Sequence, residues 1–173
     1  MNKIITLFAI ALLSSSIAAQ TKMKEYKAGH TFDISLPDYM NKTAGFNTSA
    51  AIQYKSEVKE VYGCVIYDTK EELQYVDMNY ASIKEFYDDF IKDFLADEEK
   101  KSFSKPVSKK IGEINFIEAD AVYFDKEENI EIYYLIGIVE TKKSFYKVMS
   151  WTSKDKKDAF KADFQKILYS LKD

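Results

Sequence analysis

Residues 114–152 read INFIEADAVYFD, KEEN, IEIYYLIGIVET, KK and SFYKVMSWT in succession, and this order decides the fold. Three runs rich in Ile, Val, Tyr and Phe, at 114–125, 130–141 and 144–152, are separated by polar spacers of four and two residues. Such residues suit a pleated, half-buried strand. Spacers this short join only antiparallel neighbours, because a parallel crossover takes a dozen or more residues. The stretch is therefore a meander. In its middle strand Ile130, Ile132, Tyr134, Ile136 and Ile138 share one face, while Tyr133, Leu135 and Val139 share the other. A strand apolar on both faces is covered on both faces.

Two segments of helical period are available to cover it. Ile83, Phe86, Tyr87, Phe90, Ile91, Phe94 and Leu95 line one stripe, with Lys84, Glu85, Asp88, Asp89, Lys92 and Asp93 opposite as a solvated face. Ser82, followed three residues later by Glu85, offers a capping box, with a start one turn earlier at Asn79 as the alternative. The second helix closes the chain. Ser153 is its expected cap, and Ala159, Phe160, Phe164, Ile167, Leu168 and Leu171 form its stripe. Phe90 and Phe164 are the expected buried anchors of the two helices. Upstream, residues 31–36 alternate and stop at Pro37-Asp38; 38–49 reads as a surface loop; 50–55 and 60–68 read as strands, and 107–111 as a weaker one. The expected class is α+β, an antiparallel β-sheet flanked by helices, with residues 20–173 forming a single domain.

Residues 1–19 have a different purpose. Lys3 precedes an apolar run from Ile4 to Leu13, broken only by Thr6, and a small-residue tail ends at Ala19. That order is a secretory signal peptide. The run is shorter than the roughly 20 residues a spanning helix needs, so no membrane anchor is expected after cleavage. The expected location is periplasmic or extracellular. The full chain carries a net charge of −3, and cleavage removes one lysine and no acid. All 25 basic residues are lysine and none is arginine. Arginine supplies the planar fork for phosphate and guanine contacts, so nucleic acid is not an expected partner. Cys64 is the only cysteine, which rules out an intrachain disulfide; its strand-forming neighbours make it a small buried hydrophobe.

The residues that carry chemistry are few. His30 is the only histidine and has no nucleophile near it in sequence. Glu118 and Asp120 lie two apart on one strand and so share a face with Phe116, Val122 and Phe124. Paired carboxylates bind cations or act as acid and base, with Glu131 a third acid if the register brings it alongside. In a chain this rich in acids the pair is more simply read as structural: the face turns to solvent at its centre, or lysine partners reach over it. Tyr133, with Tyr123, Tyr146 and Trp151 on neighbouring strands, forms either core, the commoner use of aromatics at strand spacing, or an aromatic groove. No glycine-rich phosphate loop, nucleophile elbow or Cys/His cluster occurs in the sequence, and no cofactor is implied.

The order of elements resembles the PsbP-like superfamily, which includes the periplasmic DcrB family and a Ran-binding nuclear import factor. The residues that carry the resemblance are His30-Thr31-Phe32-Asp33-Ile34-Ser35-Leu36-Pro37, the glycine-then-long-strand step Ile111-Gly112-Glu113-Ile114-Asn115-Phe116-Ile117-Glu118-Ala119, the strands around Tyr133-Tyr134-Leu135 and Phe145-Tyr146-Lys147-Val148, and the closing Ile167-Leu168-Tyr169-Ser170-Leu171. The resemblance implies an α/β/α sandwich and a non-enzymatic binding or assembly role. It transfers no functional residue, since no site motif of the superfamily is matched. The expectation is an exported non-catalytic binding or accessory protein acting on another envelope protein or a small ligand. The alternative is a secreted hydrolase or metal-dependent enzyme using Glu118 and Asp120. Intact-mass measurement of the protein from its native host is expected to show residues 1–19 missing; a mass that includes Met1 would contradict export with cleavage.

Overall fold

The computed structural model describes residues 21–29 and 31–173; the expected signal peptide and His30 lie outside the described residues. Strands β1 (Met23–Ala28) and β2 (Phe32–Pro37) form an antiparallel hairpin. Gly29 takes the turn at φ +57°, where a side chain would cost roughly 1 kcal/mol. Next come β3 (Asn41–Thr43), β4 (Ile52–Ser56) and β5 (Val61–Thr69), then helices α1 (Lys70–Tyr75) and α2 (Ile83–Asp93). β6 (Lys101–Phe103) and β7 (Val107–Ile111) precede β8 (Ile114–Asp125), β9 (Ile130–Glu140) and β10 (Ser144–Ser153). A 3-10 turn at Lys154–Lys156 leads into α3 (Lys157–Tyr169).

β8, β9 and β10 pair antiparallel in sequence order, as the meander requires. They lie within an eight-stranded antiparallel sheet of order β3-β4-β5-β10-β9-β8-β6, with β7 also paired to β8. On one face the β1–β2 hairpin and α3 bury Val65, Phe116, Tyr133, Leu135, Val139, Tyr146 and Val148. On the other, α1 and α2 bury Ile117, Ala119, Ile138 and Phe145, with Phe86 stacked on Phe145 at 4.5 Å between ring centroids. The architecture is the expected α+β sandwich.

Several details depart from expectation. Residues 41–43 lie in the segment expected as a loop, yet pair with β4 as an edge strand; β3 and β6 are each three residues, too short to show a period. α1 also went unmarked by periodicity, although Thr69 and Glu72 form a reciprocal capping box at its start. Ser82 rather than Asn79 caps α2, accepting from the Glu85 N–H, but the capping box is not completed, because the Glu85 carboxylate accepts from the Ala81 N–H instead. That helix stops at Asp93, so Leu95 lies beyond it at φ +58°. Ser153 makes no side-chain capping bond and precedes the 3-10 turn rather than α3; Ala159 is exposed rather than part of the buried stripe.

α3 reaches the sheet through Gly137. A Cβ there would fall 2.2 Å from Leu168 Cδ1, so only glycine allows the approach. Phe164 is fully buried, whereas Phe90 is half-buried at the rim of a cavity. Phe164→Ala should therefore cost ~3–5 kcal/mol in urea unfolding, and Phe90→Ala distinctly less. Gly137→Ala should cost ~1–3 kcal/mol by forcing Leu168 and the helix outward. Equal losses for the two phenylalanines would contradict this packing.

Candidate functional site

Glu118 and Asp120 point to the α3 face of β8, and α3 lies over both. The helix presents Lys157, Lys161, Gln165 and Tyr169 along one flank, each four residues from the last and therefore on one side. Lys157 Nζ and Lys161 Nζ each donate to Asp120 Oδ2 at 2.8 Å, and the Tyr133 hydroxyl donates to Asp120 Oδ1 at 2.8 Å. Gln165 Nε2 donates to Glu118 Oε1 and the Tyr169 hydroxyl to Oε2, both at 2.9 Å. All four carboxylate oxygens thus accept at least one bond. On the opposite flank Asp163 is buried and accepts from the Tyr39 hydroxyl at 2.8 Å, the Thr21 hydroxyl at 3.0 Å and Lys166 Nζ at 2.8 Å. α3 is fastened on both sides.

The electrostatics follow from this wiring. Burial raises the pKa of Asp120, but the bonds from Lys157, Lys161 and Tyr133 outweigh it and hold the carboxyl below its ordinary value. Burial and the Asp120 carboxylate drive Tyr133 far upward. Burial and Glu118 raise Tyr169 to about 12. A carboxylate of lowered pKa with its lone pairs engaged is a weak general base. A divalent cation at Asp120 would also have to displace two ammonium groups. Glu131 does not come alongside: it sits opposite Phe124 in the β8–β9 register and accepts from Lys154. Among the described residues no three His, Cys, Asp or Glu side chains converge to hold a metal ion.

The aromatic set divides between the two faces of the sheet, so it lines no common groove. Tyr133 and Tyr146 are buried on the α3 side, the Tyr146 hydroxyl donating to Asp173 Oδ2 at 3.0 Å. Trp151 has the opposite parity along β10 and lies on the α2 side, away from Glu118 and Asp120. There it stacks between Tyr62 and Tyr134 at 5.9 and 5.4 Å, with the edge of Phe46 at 5.3 Å. Tyr123 continues the row against Tyr134. Cys64 is buried, and burial pushes its thiol up to about 12, which leaves it unreactive at neutral pH.

A site that the sequence reading overlooked lies on the α2 side. A cavity of about 240 Å3 is lined by Asp68, Leu73, Met78, Tyr80, Phe86, Asp89, Phe90, Asp93 and Lys147. Asp89 and Asp93 stay on the solvent side of α2 as expected, and with the 76–80 connection beside the helix they also line the mouth of this cavity. The Tyr80 hydroxyl donates to Asp89 Oδ2 at 2.7 Å, and this bond holds the carboxyl below its ordinary pKa. Asp88 remains on the outer side and pairs with Lys84. The available sequence signal was the i, i+4 pairing of Phe86 with Phe90 beside Asp89 with Asp93; Asp68 and Lys147 join only through strand pairing.

At the level of sequence, no family model and no curated protein matches this chain. Solved structures do. The cyanobacterial PsbP protein CyanoP from Synechocystis sp. PCC 6803 aligns with a TM-score of 0.60 at 12% identity, covering 93% of this chain and 98% of that one. LpqN, involved in cell envelope biogenesis of Mycobacterium tuberculosis, gives 0.52 at 9% identity over 88% and 90%. PA94 of Pseudomonas aeruginosa, a protein of unknown function, gives 0.50 at 9% identity over 83% and 91%. The fold is PsbP-like, and at these identities the likeness extends to the fold alone.

Asp120→Asn should lower stability by ~1.5–3 kcal/mol at neutral pH, the range for hydrogen bonds to a charged group. Because the folded pKa of Asp120 is depressed, its contribution is present above the unfolded value near 3.8 and is lost as pH falls through the folded value. The wild type should therefore lose stability more steeply than the variant below about pH 4. Parallel acid limbs in chemical unfolding would show that the carboxylate does not hold α3.

Proposed function

We propose that this chain is an exported, non-catalytic accessory or binding protein of the cell envelope, with residues 20–173 acting as one unit on another envelope protein or a small ligand. The observation that carries the reading is the state of Glu118 and Asp120. Every oxygen of the pair accepts donors from the same chain, and most of those donors come from α3. The pair thus has a sufficient structural use as the anchor of a helix. An enzyme built on it would first have to lift α3 from the core that buries Phe164, Ile167 and Leu168.

The N-terminal leader pattern supports export, and so does one structural neighbour, LpqN, which is involved in cell envelope biogenesis. The sheet also supplies a rigid platform with two chemically different sides, which suits a module that holds partners in place. Cross-linking the native protein in its own envelope is expected to trap a stoichiometric partner or retain a bound small molecule. Steady turnover of any substrate that Glu118→Gln or Asp120→Asn abolishes, with the fold intact by circular dichroism, would overturn the reading in favour of the hydrolase or metal-enzyme alternative.

A further inference from the structure

The charge of this chain is unevenly divided. From Asp68 to Glu99 there are eleven acids and three lysines, a surplus of eight negative charges in a chain whose total is −3. The rest of the protein therefore carries excess lysine. The acidic stretch forms the end of β5, then α1, α2 and their connections, on the sheet face away from α3. Surface acids alone would be ordinary solvation. Two further features adjoin them here.

The first is an apolar knob. Tyr75, Val76 and Met78 are 80%, 64% and 42% exposed. Their backbone is fixed where the end of α1 closes with two nested bonds, Asp77 N–H to Gln74 O at 3.1 Å and Met78 N–H to Leu73 O at 2.9 Å. Asp77 occupies the left-handed position, φ +60°, that glycine ordinarily fills in this motif.

The second feature is the cavity beside the knob, which Met78 also lines. Its carboxylates have accepting capacity left. Asp68 Oδ2 is buried and receives no hydrogen bond among the described residues; Lys147 Nζ lies 2.8 Å away, within ion-pair range but out of bonding direction. Lys147 is itself drawn over the Phe86 ring at 5.4 Å. Asp89 has only a 3.4 Å contact to Lys92 besides its bond from Tyr80. Three lining carboxylates thus meet one lining ammonium, Lys147, with Lys92 reaching Asp89 from outside the cavity, beside walls that include Phe86 and Phe90. An ammonium or guanidinium group meets both demands, through charge and through the ring faces. An anion is repelled there.

We propose that the α1–α2 side is a docking surface for a basic, partly apolar segment of a partner protein. One lysine or arginine side chain of that segment enters the cavity while its apolar neighbours cover Tyr75, Val76 and Met78. The proposal rests on the accessory reading above and names the chemistry of the partner. A free small amine would occupy the cavity and leave the knob bare; a chain segment covers both. The acidic field around the site raises the encounter rate of a positively charged segment.

The test uses residues 20–173, isotope-labelled, and a short peptide of alternating lysine and leucine, with its glutamate–leucine counterpart as control. Amide shift changes are expected within residues 68–93 for the lysine peptide only. Asp93→Asn should weaken binding about tenfold, and so should Tyr75→Ser, which removes no charge. Both side chains lie at the surface, and unchanged circular dichroism confirms that the variants fold. Undiminished binding by Tyr75→Ser would reduce the effect to diffuse attraction and overturn the proposal; so would shift changes centred elsewhere, or self-association in place of peptide binding. In the native host, a photoreactive residue at position 75 is expected to cross-link to a Lys- or Arg-containing segment. Cross-links only from position 109, on β7, would overturn this surface while leaving the accessory reading intact; the turnover assay above addresses that reading alone.

Discussion

β9 lies inside the sheet with apolar side chains on both faces, and the requirement to cover it twice shapes the rest of the molecule. Tyr133, Leu135 and Val139 go under α3 and the β1–β2 hairpin, while Ile138 goes under α2. Each cover is an amphipathic element that could not hold its structure alone in water, since short helices gain most of their stability from packing. The sheet and its covers therefore stabilise one another. Gly137 shows how tightly the arrangement is fitted: the helix occupies the space that a side chain on the strand would take.

Apolar packing brings α3 to the sheet, but greasy surfaces tolerate sliding and rotation. The polar flank removes that freedom. Two residues along a strand advance about 6.6 Å, whereas twelve along a helix advance about 18 Å, so the long side chains of the i, i+4 series on α3 converge on the i, i+2 pair of β8. Asp120 takes Lys157 and Lys161; Glu118 takes Gln165 and Tyr169. A slip of one residue would turn this series about 100° around the helix and break all four bonds. Asp163 on the other flank, tied to Tyr39 and Thr21, opposes rotation in the other direction. The carboxylates that most resembled a reactive pair thus fix the setting of a helix.

The sheet also separates charge. α3 contributes its lysines on one side, and α1 and α2 place an excess of carboxylates on the other. Nothing in the packing of the core requires this division, because both helices would cover the sheet equally well with balanced polar faces. The acidic side also carries the cavity and the exposed knob. The lysine-bearing α3 thus closes one face of the structure, and the acidic helices meet solvent on the other.

The sequence by itself determined the meander, both long helices and the two-sided burial of β9, because these depend on local period and on spacers too short for any other connection. The bounds of β8 match the reading residue for residue, and Phe164 is as buried as its stripe implies. Period 2 also placed Glu118 and Asp120 on one face. It could not say what lay across from them, since that depends on the rotation of a helix some 40 residues later in the chain, and the distances that decide it are tertiary. The same limit split the aromatic set: parity along each strand is legible, but which parities of different strands share a face follows from register, and register put Trp151 opposite Tyr133 in depth. The cavity joins residues from β5, α1, the 76–80 connection, α2 and β10, and only the folded sheet brings those five segments together.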